Sequence, residues 1–277
     1  MPFTLHDNNM NKLNYPVGIR SLDFLVSSIQ KNRLLEKIDG IPGTVDYGYT
    51  YEEREISLSF WLKHKHGEHD FKLLRSEINS MLDSYSYFYI SDDYLPSRVL
   101  KISIDESYQP ERIMHSRFSN LELKATIIGL PFWRTKYTSQ ELNDEGYTAI
   151  VDKYGTADNI HIDHTQYTYK TNEFTIYNSG NVTIDPRHME LSIMLRYVNS
   201  PGNFTIENVT TGEKFVYKSA INNNHLTLDG TKVNVGVYNR LRDSNRQFIS
   251  LVKGVNKIKI YNGTFEEIKF DSPFYFK

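Results

Sequence analysis

Between residues 54 and 62 apolar and polar side chains alternate. Ile56, Leu58, Phe60 and Leu62 fall on one face of an extended chain and Glu55, Ser57, Ser59 and Trp61 on the other, the period-two pattern of a half-buried strand. Upstream, Asp39, Gly40, Pro42 and Gly43 are costly inside a helix or a central strand, so a turn-rich loop feeds this strand. After it the period changes: Phe71, Leu74, Ile78, Met81 and Leu82 share one helical face, with Lys72, Arg75, Glu77 and Asn79 opposite. This predicts a helix over 70–83 capped by Asp70, its apolar stripe turned to its own core. Tyr85, Tyr87 and Tyr89 alternate next, and Asp92-Asp93 makes a turn before Leu100, Ile102 and Ile104. A last strand, 118–128, sets Leu121, Leu123, Ala125 and Ile127 against Glu122, Lys124 and Thr126, and Pro131 stops it. Residues 1–20 show little periodicity and read as an extended arm with a short strand near 15–19, followed by a strand over 22–29.

The second half has a different texture. Residues 135–172, rich in Tyr, Thr and Asp with weak alternation, read as a linker with an irregular first strand. From 173 onward short apolar runs at 174–177, 182–184, 190–197, 203–208, 214–217, 225–228, 231–235, 247–251, 256–261 and 265–270 are separated by turn residues such as Asp229-Gly230 and Asn262-Gly263. Strands this short and this closely spaced make a two-sheet sandwich. The expectation is a mainly β, α+β protein with one helix, in segments 1–134, 135–172 and 173–277.

At 277 residues there is length for two cores. Lys and Arg (32) nearly balance Asp and Glu (34) without long runs of one sign, which disfavours nucleic acid or an anionic membrane and favours protein partners. The 20 Tyr and 15 Phe suit strands with aromatic faces. No apolar run is long enough to span a bilayer, and the N-terminus lacks the pattern of a signal peptide, so the expected product is not secreted. Zero cysteines removes disulfides, thiol nucleophiles and cysteine metal sites. His64, His66 and His69 offer three nitrogens, but from a single polar loop, whereas zinc sites draw ligands from several; His161 and His164 flanking Asp163 read as strand-end side chains facing water. No metal and no cofactor is expected. Phosphate-cradling Gly loops, nucleophile elbows and His-Glu-x-x-His motifs are missing, which leaves only a two-carboxylate glycosidase drawing on Glu52, Glu53, Asp105 and Glu106 as an enzymatic route. No catalytic residue is assigned. The Asn-x-Thr triplets at Asn181, Asn203, Asn208 and Asn262 have no role outside a secreted glycoprotein.

Several short motifs, taken in order, resemble the distal tail protein family of siphophages that infect Gram-positive hosts. They are Ile41-Pro42-Gly43 with Asp46, Tyr47 and Gly48; Tyr51, Arg54 and the alternating 56–62; the helix from Phe71 to Leu82; Asp93 to Arg98; Pro131-Phe132-Trp133; Phe174 with Asn178-Ser179-Gly180-Asn181; Ile206 to Gly212; and Gly254 to Ile260. Gly40-Ile41-Pro42-Gly43 stands where the family more commonly has Gly-Arg-Asp-Gly. The resemblance implies an N-terminal belt domain whose copies form a six-membered ring at the virion's tail tip. That ring joins the tail tube protein to the tail-associated adhesion, lysin and receptor-binding proteins, and a galectin-like sandwich lies at its periphery. It implies synthesis in the host cytoplasm and no enzymatic activity. The competing reading is a wall-carbohydrate adhesin working through the sandwich. Against it, both tryptophans, Trp61 and Trp133, lie in the first segment, and Tyr197, Tyr217 and Tyr261 sit inside strand patterns.

Overall fold

In the computed structural model, which describes residues 2–277, the chain divides into two units: one reaches Trp133 and takes in Lys277, the other is Arg134–Phe276. The first unit is built from β1 (Phe3–His6), β2 (Ile19–Val26), β3 (Lys31–Glu36), β4 (Val45–Tyr51), β5 (Ile56–Lys63), α1 (Glu68–Asp83), β6 (Phe88–Asp92), β7 (Leu95–Ser103), β8 (Glu111–Arg112) and β9 (Phe118–Ile127). Its main sheet runs β1-β6-β7-β9-β5-β2. The end strands meet across the gap: the Phe3 amide donates to Ser21 Oγ at 3.4 Å, and the Phe3 ring lies 6.0 Å from Phe24 and 5.0 Å from Phe60. The sheet is thereby curled into a barrel whose inside is the alternating face of β5 (Ile56, Leu58, Phe60, Leu62) against Leu121, Leu123, Ala125 and Ile127 of β9.

α1 buries Phe71, Leu74, Ile78 and Leu82, the face its periodicity predicts. Its cap differs from expectation. The helix opens at Glu68 after Gly67 with no side-chain cap, and Asp70, already in the first turn, accepts from the amides of Lys65 and of His66 (2.9 Å). Those two hydrogen bonds hold the Asp70 carboxyl below its ordinary range.

The expected arm is instead a core strand. Phe3 and Leu5 are 1 % and 0 % exposed, β1 pairs antiparallel with β6 from Phe3↔Asp92 to His6↔Tyr89, and the Leu5 amide donates to the Tyr15 hydroxyl (3.2 Å), which donates on to Phe3 O (3.2 Å). Burial pushes the Tyr15 hydroxyl pKa up. A four-residue strand has too short a pattern to register as periodic, and it gains its stability from partners distant in sequence.

The second unit begins at Arg134 within β10 (Trp133–Thr138) and continues with α2 (Ser139–Tyr154), so the expected linker over 135–172 is largely ordered structure. Thr138 and Glu141 form a capping box, Gly155 ends α2 in the left-handed region, and Gly146 (φ +83°) breaks it midway. Thr138-x-x-Glu141 and the terminal Gly were legible signals, but a helix with three buried residues, split by Gly146, carries little apolar period. Among the described residues there are therefore two α-helices rather than one. The sandwich follows: β11 (Thr168–Tyr169), β12 (Glu173–Asn178), β13 (Ser192–Ser200), β14 (Phe204–Asn208), β15 (Glu213–Tyr217), β16 (Ile221–Asp229), β17 (Lys232–Val235), β18 (Tyr238–Asn239), β19 (Gly254–Tyr261), β20 (Glu267–Asp271) and β21 (Pro273–Phe276). One sheet runs β11-β20-β13-β16-β17-β18 and the other β12-β19-β14-β15, and β21 pairs β10. Two of the expected strands, 182–184 and 247–251, make only the single bridge Ile184↔Leu251, because side chains bind the backbone there instead.

Candidate assembly surface

β3 and β4 form a two-stranded sheet of their own, from Lys31↔Tyr51 to Glu36↔Val45, with a bulge between Arg33 and Leu35. The turn residues expected to feed β5 directly are the tip of this hairpin, where Gly40 (φ +85°) and Gly43 (φ +89°) take conformations that disfavour other residues. Every residue of β3 is exposed, and Leu34, Leu35, Ile38, Ile41, Tyr47 and Tyr49 leave 37–66 % of their surfaces open. Such an apolar concentration on an unpaired hairpin marks an interaction surface. Its shape is set locally: Asp46 accepts from Gly48 N (2.9 Å) and pairs with Arg33, which together depress its pKa, and the Lys31 ammonium lies 4.6 Å over the Tyr49 ring. The alternation of Val45, Tyr47, Tyr49 and Tyr51 was the signal for β4.

At the hairpin root the β2/β5 pairing continues through Ser27 N to Glu55 O (3.0 Å) and Glu52 N to Gln30 O (2.8 Å). Arg54 braces it. Only 8 % exposed, its Nε donates to Pro131 O (2.8 Å) and its Nη1 to Ser27 O (3.3 Å), while buried Nη2 has no acceptor among the described residues. Desolvation lowers its pKa. Beside Arg54 opens a groove of 620 Å³ floored by Leu25, Val26, Ile56 and Ala125, with Glu53, Glu55, Glu106 and Lys124 around it. Of the carboxylates considered for glycosidase chemistry, Glu53 and Glu106 thus share one groove. Glu52 lies with Glu53 on a second cavity of 460 Å³, and Asp105 accepts from Ser103 Oγ (2.5 Å).

His64, His66 and His69 do not share one loop, since His69 lies in the first turn of α1. His64 is buried against Phe71 with Nδ1 3.2 Å from His66 O, and among the described residues no group of three or more potential ligands is placed to hold a metal. Asp92 accepts from Tyr94 N (2.9 Å) and Asp93 from Thr4 Oγ1 (2.7 Å), which makes them turn and strand anchors.

In the second unit, the motif asparagines bind the segment that lacks a ladder. Asn178 Nδ2 donates to Val182 O (2.9 Å) and Leu251 O (3.0 Å), and Asn208 Nδ2 to Ser250 O (2.8 Å) and Asn256 Oδ1 (3.0 Å). Asn256 exchanges hydrogen bonds with both the N–H and C=O of Val252 (2.9 and 2.7 Å). Gly180 lies so close to the backbone of Tyr275 that an added Cβ would sit 2.4 Å from its carbonyl oxygen. These residues build the sandwich. His161 is exposed and His164 half-buried, in a turn rather than at a strand end; His164 stacks on Tyr177 (5.5 Å, 11°), and the His161 ring lies 4.7 Å from that of His164. Tyr217 is core at 3 % exposure, whereas Tyr197 (φ +50°) and Tyr261 are open.

Residues 15–125, the span that contains the hairpin, the groove and most of the barrel, match the phage tail protein RIFT-related domain. Over that stretch the chain is similar to phage tail proteins. No curated protein sequence matches it. Among solved structures it is similar to the Dit protein of phage SPP1, described as a paradigm of the hub adsorption apparatus in phages infecting Gram-positive hosts. That match has a TM-score of 0.69 and 12 % identity and covers 99 % of this chain and 100 % of that one, so the two units share its fold in full. A chain of the phage p2 baseplate, in its activated conformation with calcium, matches at a TM-score of 0.46 with 12 % identity over 99 % of this chain and 97 % of that one.

Proposed function

We propose that the protein is a structural component of the virion's tail tip. Its copies form a ring that joins the tail tube to the host-adhesion apparatus, and it has no catalytic role. The observation that carries this reading is the combination of a phage-tail domain over 15–125 with a whole-chain fold like that of a tail hub protein. The exposed apolar hairpin supports it, since a ring subunit must present to its neighbour a surface that a monomer would have no reason to leave uncovered. Near-neutral charge suits protein partners, and among the described residues no helix is long and apolar enough to cross a membrane. The sugar-binding alternative is not favoured: Tyr217 belongs to the core, and the sandwich has no tryptophan.

Native mass spectrometry of the purified protein together with electron microscopy of labelled tails tests this. Six-fold oligomers and label confined to the tail tip are expected. A protein absent from the particle, or monomeric at every concentration, would refute it.

A further inference from the structure

The turn at 113–117, between β8 and β9, brings an apolar and basic knob to the surface. Ile113 is 49 % and Met114 84 % exposed, and Arg117 is exposed with no ion-pair partner among the described residues. The turn is hydrogen-bonded, with Ile113 N donating to Phe118 O (3.2 Å) and Ser116 N to Ile113 O (3.1 Å), and His115 takes φ +56° at its apex. Arg112 is committed elsewhere, 2.7 Å from Glu68 and over the Phe71 ring, which leaves Arg117 as the turn's available cation.

At the far end of β9 lies the groove beside Arg54. Since β9 has 10 residues, turn and groove are about 30 Å apart on one subunit and cannot meet within it. Their chemistry is complementary. The groove floor is apolar, and Glu53, Glu55 and Glu106 around it have no ion-pair partner among the described residues; Lys124 offsets them only in part. Arg54, more than nine-tenths buried, forms the groove wall, its Nε and Nη1 fixed on Pro131 O and Ser27 O.

We infer that the groove receives the 113–117 turn of a second copy of this chain. Ile113 and Met114 cover Leu25 and Val26 beside the barrel residues Ile56 and Ala125, and Arg117 enters the field of the three glutamates. The inference rests on the ring reading above and adds its contact. Because knob and groove are different surfaces at opposite ends of the barrel, the contact is heterologous: each copy offers both, and repetition closes a ring where the rotation permits.

Cross-linking provides the test, because the chain has no cysteines of its own. Met114→Cys and Leu25→Cys are made singly, mixed and mildly oxidised. A disulfide-linked heterodimer is expected from the mixture and none from either variant alone, since a disulfide needs Cα atoms within roughly 7 Å. In parallel, Glu55→Arg should raise the half-assembly concentration about ten-fold, and adding Arg117→Glu to the same chain should restore it. Absence of the cross-link while the unmodified protein runs as a ring overturns the groove contact and leaves the ring reading standing. Homodimers from one single variant also overturn it. A protein that is monomeric throughout and gives no cross-link overturns both.

Discussion

Asn256→Leu is the substitution from which most can be learned, because the side chain is fully buried and each of its polar atoms is used twice. Oδ1 accepts from Val252 N (2.9 Å) and Asn208 Nδ2 (3.0 Å), and Nδ2 donates to Val252 O (2.7 Å) and Gly254 O (3.0 Å). Leucine keeps the size and removes all four bonds. The two carbonyls lie where the chain is half exposed, so water can replace their donors, but Val252 N–H and one Asn208 N–H lose their acceptors. Two stranded donors at about 1–3 kcal/mol each place the loss near 4 kcal/mol, a large fraction of the 5–15 kcal/mol that usually holds a domain together. For a unit of this size that is roughly 12 °C in melting temperature. The assay is calorimetry of the full chain with hydrogen exchange read by mass spectrometry. Protection should fall across 173–276 and stay unchanged in β5 and β9, which belong to the other unit. Lys257→Ala, on the exposed neighbour, is the control and should shift stability by no more than about 0.5 kcal/mol. A loss below about 1 kcal/mol for Asn256→Leu would refute the view that these asparagines substitute for a strand ladder.

Removing residues 2–6 should unfold the first unit rather than merely weaken assembly, since Phe3→Ala and Leu5→Ala alone should cost about 3–5 and 2–5 kcal/mol; circular dichroism and urea unfolding check this. Gly180→Ala should destabilise the second unit severely, because the clashing atoms belong to the Tyr275 backbone and cannot swing away; a melting temperature within about 2 °C of the parent would contradict it. Asp70 has a depressed folded pKa, so its support of the 64–70 loop is complete above its ordinary value of 3.8 and is lost as pH falls through the lower, folded value. Hydrogen exchange at Lys65 and His66 should therefore rise in strong acid, and Asp70→Asn should show the raised exchange already at neutral pH. Limited proteolysis should spare 135–155, where β10 and the capped α2 lie; early cleavage there would speak against the helix.

The sequence by itself determined the elements whose apolar residues repeat over enough positions to declare a face. β5 and β9 alternate through eight and ten residues, α1 carries its stripe through four turns, and the sandwich strands are bounded by turn residues that need positive φ, such as Gly230 and Asn262. Of the candidate site, the sequence held the ingredients without their positions: Arg54, Glu53 and Glu106 are each visible, but nothing local says that an acid at 106 shares a groove with one at 53. Tertiary structure decided three things. It drew β1 out of an apparently aimless N-terminus, because a short strand is stabilised by its neighbours β6 and Tyr15 and not by its own pattern. It separated the hairpin β3/β4 from the barrel, where exposure on every residue of β3 erases the burial pattern that sequence reading relies on. And it made Asn178, Asn208 and Asn256, which the pattern shows only at the ends of apolar runs and in a turn, into buried supports for 250–252, because an amide side chain can satisfy a backbone whose ladder partner is missing, and only the folded chain shows which backbone that is.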